Sequence, residues 1–228
     1  MAERRTISAA FARPTAAQLA ALASLGTATL QDAAGGRGVL DPRLKSLRAG
    51  MRVCGPALTC ACPTLDNLAV HAALKVARAG DVIVCDAGGD PAQGMFGDLM
   101  AACAVHNGLG GVVMNGGVRD AEAIIASGLP VFARGVCVRA GGKAVLGPVA
   151  APIAIGGVIV APGDAVVGDD DGVVVVPLAS IDKVVAAARA KATREDAMRA
   201  AFAQGKRTWD VQNLDELMRQ QGIEIDWQ

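Results

Sequence analysis

Two short segments of the chain carry the residue types that could do chemistry. Gly97 and Asp98 end a glycine-rich loop, at the point where a helix is predicted to begin. Arg119 and Asp120 follow an apolar run, residues 111–115, that predicts a buried strand. The free N–H groups and the positive dipole end of a helix N-terminus favour a bound carboxylate or phosphate. Helix N-termini and the carboxyl ends of strands lie at one edge of a β-α-β unit, so we expect both segments to face one crevice.

Helix-end amides, a guanidinium and two carboxylates together predict a site for a small anionic substrate and a hard divalent cation. Mg²⁺ and Mn²⁺ are bound mainly by carboxylate and water oxygens. Each segment alone also fits a purely structural role. Asp98 would then stabilise a first helical turn, Asp120 would cap the next helix, and Arg119 would be a solvated surface residue. The combination of the two segments favours the site.

Other polar patterns are weaker candidates. Residues 168–172 are acidic, but they lack the spaced ligands and terminal Glu of an EF-hand loop, so a charged hairpin turn is predicted. His71 and His106 fall on predicted helices without metal-ligand spacing, which predicts structural roles, no zinc site and no histidine near Arg119. The chain has no nucleophile elbow and no phosphate-loop pattern, and Schiff-base chemistry by a lysine is disfavoured.

Composition excludes several classes of function. Of the 228 residues, 52% are hydrophobic and 19% charged, which predicts a large folded core. A net charge of zero argues against nucleic acid as partner, and 3% aromatic residues argue against a base-stacking platform. The six cysteines lie mostly in apolar runs and are expected to be small buried hydrophobes in a reducing compartment. With no secretory signal or membrane span recognisable, we expect a cytoplasmic protein without a membrane partner.

The elements that must position the two segments alternate along the middle of the chain. Strands are predicted over residues 51–62, 81–86, 111–115 and 130–134, and then, as short antiparallel strands, over 136–139, 158–161 and 173–176. Helices are predicted over residues 15–25, 28–34, 66–79, 98–107, 119–127, 180–204 and 213–221. We expect an α/β protein with one domain over residues 1–205, including N-terminal helices, and a C-terminal tail helix within 206–228.

The spacing of the two motifs resembles the signature of a known family. Gly97-Asp98, twenty residues and then Arg119-Asp120 is similar to the pattern of class II pyruvate aldolases. These cleave 4-hydroxy-4-methyl-2-oxoglutarate and 4-carboxy-4-hydroxy-2-oxoadipate, and their superfamily includes regulator of ribonuclease activity A-like proteins. The likeness covers roughly residues 25–205. It extends to Thr27–Ala33, Gly55–Thr59, Asp66–Leu68, Ala79–Val82, Gly128–Phe132, Pro162–Asp164 and Asp170–Val173.

The resemblance implies a swivelling β/β/α, phosphohistidine-domain-like fold, assembled as trimers or hexamers with active sites between subunits. It also implies roles for particular residues. Arg119 would bind the keto oxygen and stabilise the enolate. Asp120 would reach the Mg²⁺ or Mn²⁺ ion together with a glutamate of the neighbouring subunit, a place that Glu195 fits. The amides that would hold the pyruvyl carboxylate are those of Gly97, Asp98, Leu99 and Met100.

The implied activity is metal-dependent cleavage of a 4-hydroxy-2-oxo acid to pyruvate and a second oxo acid. We expect a metal-activated water held by Asp98 to deprotonate the C4 hydroxyl. Oxaloacetate decarboxylation follows as a side activity, because it produces the same enolate. Two rivals remain: a dedicated oxaloacetate decarboxylase, and a non-catalytic regulator that binds a ribonuclease. Glu195 favours the enzyme, because the regulators lack that acid.

Two features depart from the family pattern. Asn115 stands where the family usually has Asp, which would change the charge around the ion or the choice of substrate. Residues 205–210 differ from the usual aldolase tail, which bears on the distal part of the substrate pocket.

Overall fold

A computed structural model of the protein describes residues 7–63 and 65–223. Its strands are β1 (Lys45–Ser46), β2 (Val53–Ala61), β3 (Val82–Asp86), β4 (Gly111–Val118), β5 (Val131–Val136), β6 (Ile153–Ile155), β7 (Val158–Val160), β8 (Ala165–Asp169) and β9 (Gly172–Val176). Seven of them form one sheet in the order β1-β5-β4-β3-β2-β8-β9, and β6 pairs with β7. Strands β2 to β5 are parallel to one another, whereas β1, β8 and β9 join the sheet antiparallel to their neighbours.

Helices cover both sides of this sheet. They are α1 (Ala16–Ala23), α2 (Thr27–Ala33), α3 (Leu68–Val76), α4 (Asp98–His106), α5 (Ala121–Ala126), α6 (Ile181–Ala203), α7 (Thr208–Val211) and α8 (Leu214–Gln220). Helix α1 begins with a capping box between Thr15 and Gln18, which satisfies amide groups that the helix itself leaves free. Within residues 7–63 and 65–223, no helix is long and apolar enough to cross a membrane.

The parallel strands are apolar on both faces because each face is covered. On β3, Ile83 and Cys85 point to a core shared with α3 and α4. The alternate residues Val82 and Val84 point to a second core that contains side chains of β6 to β9. A third core lies between β8, β9 and the helices α1, α2 and α6. The sheet therefore separates the α3–α4 layer from the rest of the molecule, and its carboxyl edge opens beside α4.

The structure confirms the predicted alternation of strands and helices. It corrects the ends of some elements and adds strands that were not predicted. The expected hairpin at residues 168–172 is present as the turn between β8 and β9. The prediction of an antiparallel strand over 136–139 is wrong, because Val136 ends β5 and pairs in parallel with Val118. An irregularity between Met114 and Gly117 lets β4 run on to Val118 rather than stop at Asn115. Strands β1, β6 and β8 were not predicted from the sequence.

The segment before α1 is fastened to the core by a buried ion pair. Arg13 donates from Nε and Nη2 to the two carboxylate oxygens of Asp81, at 2.7 and 2.9 Å. The Asp81 side chain is fully buried, and the Arg13 side chain is 16% exposed. Arg13 also lies over the ring of Phe11, 3.9 Å from its centroid. This pair closes the end of β3 that lies away from the site.

We expect Arg13→Ala to lower the free energy of unfolding by about 3 kcal/mol, because it leaves the buried Asp81 carboxylate without its charged partner. Arg199→Ala is the matched control. It breaks pairs with Glu195 and Asp196 on an exposed helix face and should cost less than about 1 kcal/mol. Urea unfolding of the two variants tests this, and equal losses of stability would contradict it.

Candidate active site

The N-terminus of α4 is brought to Arg119 by a loop that packs directly on β4. Met95 N donates to Gly117 O and Arg119 N to Phe96 O, both at 2.9 Å, so the two segments run side by side. A Cβ on Gly117 would lie 2.4 Å from the carbonyl oxygen of Pro91, which explains the small residue there. This close approach places the first turn of α4 next to the residues that follow β4.

Arg119 and Asp120 meet at this helix N-terminus. Arg119 Nε donates to Asp120 Oδ2 at 2.9 Å, and the amide of Asp98 lies 3.4 Å from the same oxygen. Asp120 has φ 57° and ψ 40°, a left-handed conformation that few residues other than glycine adopt. The hydrogen bond from Arg119 is the main cause that lowers the pKa of the Asp120 carboxyl, which is therefore ionised at neutral pH.

The predicted substrate-binding residues line one cleft. The chain's own carboxylates already occupy the helix N-terminus, since Leu99 N donates to Asp98 Oδ1 at 2.8 Å and Asp98 N faces Asp120. This arrangement shows that the place accepts carboxylate oxygens. The cleft is lined by Asn67, His71, Gly94, Gly97, Asp98, Leu99, Met100, Arg119, Asp120, Ala140, Gly141 and Lys143.

His71 and Asn67 were missed by the sequence analysis. The expectation that no histidine lies near Arg119 is wrong, because α3 places His71 on the opposite wall of the same cleft. Asn67 Nδ2 donates to Met95 O at 3.1 Å, while Asn67 Oδ1 and His71 Nε2 are buried without a hydrogen-bond partner among the described residues. Burial lowers the pKa of His71, so its ring is neutral at pH 7. The one sequence signal for a functional role of Asn67 and His71 is their position at the start of the helix predicted over residues 66–79.

Asp66 fastens a third segment, which carries Lys143, to the cleft. It lies just before α3 and accepts from Leu68 N at 2.9 Å. Its other oxygen accepts from the amides of Ala144 and Val145. These backbone donors, with Ala144 the strongest, lower the pKa of Asp66. The buried carboxylate thus holds Lys143 at the rim.

Asp98 and Asp120 also border a second, more open depression, which Glu122 lines on the side of α5. Asp98 and Asp120 therefore lie between the cleft, which contains the cationic Arg119 and Lys143, and this depression, which contains the acidic Glu122. In the part of the chain that the structure describes, no group of three or more His, Cys, Asp or Glu residues is placed to hold a metal by itself. Mg²⁺ commonly takes only one or two protein carboxylates, with water and substrate oxygens completing its shell. Asp120 with Asp98 fits such a partial ligand set.

Two further residues from the sequence analysis lie outside this cleft. Glu195 is on α6, where it pairs with Lys191 at 2.9 Å and with Arg199 at 3.6 Å, so its role toward a neighbouring subunit stays a prediction. Asn115 donates to Asp86 Oδ1 at 2.7 Å and accepts from Arg134 Nε. An amide can serve both partners at once, whereas a carboxylate there could not donate to Asp86.

Comparisons with known proteins agree with this fold. The family described as "RraA-like: Aldolase/RraA" matches residues 27–175. A protein of Halalkalibacterium halodurans named "Putative 4-hydroxy-4-methyl-2-oxoglutarate aldolase" is 37% identical over 179 residues, which cover 78% of this chain and 85% of that protein. The chain therefore belongs to the RraA-like (aldolase/RraA) family.

Solved structures support the fold. The Streptomyces coelicolor protein RraAS2, described as an unusual member of the RNase ES inhibitor RraA family, is similar with a TM-score of 0.75 and 30% identity, covering 83% of this chain and 98% of that one. An uncharacterised protein from Pseudomonas syringae pv. tomato has a TM-score of 0.77 and 28% identity, covering 89% and 100%. The swivelling β/β/α fold expected from the resemblance is confirmed by these neighbours.

We expect Gly97→Ala to weaken pyruvate binding about tenfold, or about 1.4 kcal/mol. A Cβ there would lie 2.7 Å from Asp120 Oδ2 and 3.2 Å from Arg119 Cγ, so the ion pair must shift. Gly26→Ala is the control, because its nearest contact would be an ordinary 4.0 Å. Isothermal titration calorimetry measures both variants, and unchanged affinity in Gly97→Ala would show that the pair is not part of the binding site.

Proposed function

We propose that the protein is a divalent-metal-dependent aldolase that cleaves a 4-hydroxy-2-oxo acid of the 4-hydroxy-4-methyl-2-oxoglutarate type to pyruvate and a second oxo acid. The observation that carries this proposal is the convergence of Arg119, Asp120 and the N-terminus of α4 in one cleft. The name of the Halalkalibacterium halodurans relative supports the same reaction class.

Substrate binding uses the two charged ends of the cleft. The amides of residues 97–100 receive the carboxylate next to the keto group, replacing the contacts that Asp98 and Asp120 make there. Arg119 uses Nε for Asp120, which orients the guanidinium and leaves both Nη atoms for the keto oxygen. Lys143 and His71, on the other wall, receive an anionic group at the distal end of the substrate.

Breaking the C3–C4 bond leaves an electron pair on C3, delocalised into the keto oxygen as the enolate of pyruvate. Arg119 stabilises this enolate because its fixed positive charge lies where negative charge develops. The C4 hydroxyl must lose its proton, and we assign that proton to a water held by Asp98. The neutral His71 ring forms hydrogen bonds with the polar groups on C4 and thereby holds them in place. Decarboxylation of oxaloacetate needs the same enolate stabilisation and is expected as a side activity.

A divalent cation suits the charge balance of this site. Asp98, Asp120 and a bound 2-oxo acid would bring three negative charges against the two positive charges of Arg119 and Lys143, and a cation beside Asp120 offsets the excess. When bound, Mg²⁺ or Mn²⁺ supplies Lewis-acid polarisation of the 2-oxo acid oxygens. Asp120 is the ligand that this chain provides, and Glu195 of a second copy is the proposed additional one.

Exposed apolar side chains, one of them in the lining of the cleft, support an assembly with sites between subunits. Leu99 is 82% exposed and Val138 is 97% exposed. Leu65 and Leu146 are exposed close by. Apolar patches of this kind commonly mark protein–protein contacts. We propose that these side chains are covered in the homotrimer or hexamer that the resemblance to the family implies.

We expect Arg119→Ala to reduce kcat for pyruvate release by a factor of about 10²–10³, because it removes the charge that stabilises the enolate. The matched control Arg219→Ala changes an exposed arginine of α8 that pairs with Glu216, and it should retain activity. The assay couples pyruvate to its reduction and monitors NADH. It is run over a panel of 4-hydroxy-2-oxo acids and oxaloacetate, with and without EDTA, and EDTA should abolish turnover. Near-normal turnover of Arg119→Ala would refute the assignment.

Lys143→Ala should raise KM for dicarboxylic substrates about tenfold and leave kcat within about threefold, because the lysine contacts the distal anionic group and not the reacting atoms. A substrate without the distal carboxylate should show no such difference between the variant and the unmodified protein. Lys183→Ala, on the far side of the molecule, is the control. An equal rise of KM for substrates with and without the distal carboxylate would show that Lys143 does not bind that carboxylate.

The alternative function is regulation of a ribonuclease without catalysis. The observation that favours it is the similarity to RraAS2, whose family is described as RNase ES inhibitors. This alternative predicts no metal-dependent pyruvate release on any substrate of the panel, together with direct binding to a ribonuclease. A dedicated oxaloacetate decarboxylase would instead act on oxaloacetate and leave the 4-hydroxy-2-oxo acids intact.

A further inference from the structure

Three thiols lie together on one face of the sheet, beneath α3. Cys60 of β2 pairs in register with Cys85 of β3, and Cys62 follows at the end of β2 on the same face. Cys62 Sγ and Cys85 Sγ are 3.6 Å apart, at van der Waals contact. Cys60 and Cys85 are fully buried, whereas Cys62 is partly exposed. The proposed function uses none of these residues.

The environments of the two contacting thiols differ in a way that separates their reactivity. The hydrogen bond from Cys85 is the main cause that lowers the pKa of Cys62, and the Val70 amide in the first turn of α3 acts in the same direction. The pKa of Cys85 is raised by its thiol neighbours and by burial. Cys62 is the more accessible of the two thiols. Its lowered pKa also makes it the more nucleophilic one, because the thiolate is the reactive form.

We propose that Cys62 and Cys85 form a peroxide-sensitive thiol pair, in which Cys62 is the site of oxidation and Cys85 closes a disulfide with it. The Cys62 thiolate attacks hydrogen peroxide, which breaks the O–O bond, forms a sulfenic acid and releases water after protonation. Cys85 sulphur then attacks Cys62 sulphur, the S–O bond breaks, and the hydroxyl leaves as a second water with the proton that the Cys85 thiol gives up. Two thiols are oxidised by two electrons, and one peroxide is reduced to two waters.

Forming the disulfide requires the two thiols to move together. The two sulphur atoms must approach from 3.6 Å to about 2.05 Å. The backbone already holds the two chain segments together, because Cys62 N donates to Asp86 O at 2.8 Å. Cys60 does not compete as the first site of oxidation, because it is fully buried.

The disulfide would connect the two segments that build opposite walls of the cleft. Cys62 precedes the turn that leads through Asp66 to Asn67 and α3. Cys85 precedes the loop that leads to the N-terminus of α4. Oxidation would therefore change the spacing of the walls, and we expect pyruvate release to fall. This consequence rests on the proposed function, whereas the formation of the disulfide does not.

The test treats the reduced full-length chain with one equivalent of hydrogen peroxide, alkylates the remaining thiols and measures intact and peptide masses. We expect an intact mass with four alkyl groups where the reduced chain, with six cysteines, carries six, a peptide pair joining Cys62 to Cys85, and full reversal by dithiothreitol. Oxidation that starts at Cys103 or Cys137, a link between Cys60 and Cys85, or only the addition of oxygen would overturn the proposal.

Variants separate the roles of the two thiols. Cys85→Ser should leave a sulfenic acid on Cys62 that dimedone traps, and Cys62→Ser should form no disulfide. Cys103→Ser, which removes an exposed thiol elsewhere, should behave like the unmodified chain. If the disulfide forms but neither redox state releases pyruvate, the proposed function fails and the thiol pair stands. A disulfide in Cys62→Ser equal in yield to that of the unmodified chain would refute the pair.

Discussion

The ion pair between Arg119 and Asp120, held against the first turn of α4, is the interaction on which the rest of the site depends. A guanidinium 2.9 Å from a carboxylate gives each group a fixed orientation. Asp120 accepts a left-handed backbone to make this contact, which is the kind of local strain that proteins keep where geometry matters. The amide of Asp98 then adds a third group around the same oxygen.

The sheet provides the rigid frame for this pair. Because both faces of β3 and β4 are covered by apolar cores, the carboxyl ends of these strands cannot move independently of α3 and α4. The loop before α4 lies against Gly117 at a distance that no side chain would allow. Asp66 extends the frame by binding the backbone of the segment that carries Lys143. Three separate parts of the chain are thereby brought to one cleft.

Asp98 and Asp120 lie between the positively charged residues of the cleft and an acidic residue outside it. Arg119 and Lys143 lie on the side that would receive an anionic ligand, whereas Glu122 lies on the other side. The mouth is open, since the Arg119 side chain is 40% exposed in the single chain. In the proposed assembly, a second subunit lies at this opening and contributes Glu195 as an additional metal ligand. The thiol pair lies beneath α3, whose first turn lines the cleft. Oxidation of the pair would therefore affect the cleft.

The sequence by itself determined the β-α-β succession and the meeting of Gly97–Asp98 with Arg119–Asp120, because apolar periodicity is local and the edge rule of parallel sheets is general. It also indicated the family through motifs that lie along one stretch of chain. Only the tertiary structure decided that His71, Asn67 and Lys143 share the cleft, since they come from segments far apart in sequence whose meeting depends on the contacts of Asp66. The same holds for the pairing of β8 with β2 and for the contact of Cys62 with Cys85, because both depend on which distant strands become neighbours in the sheet and in which register.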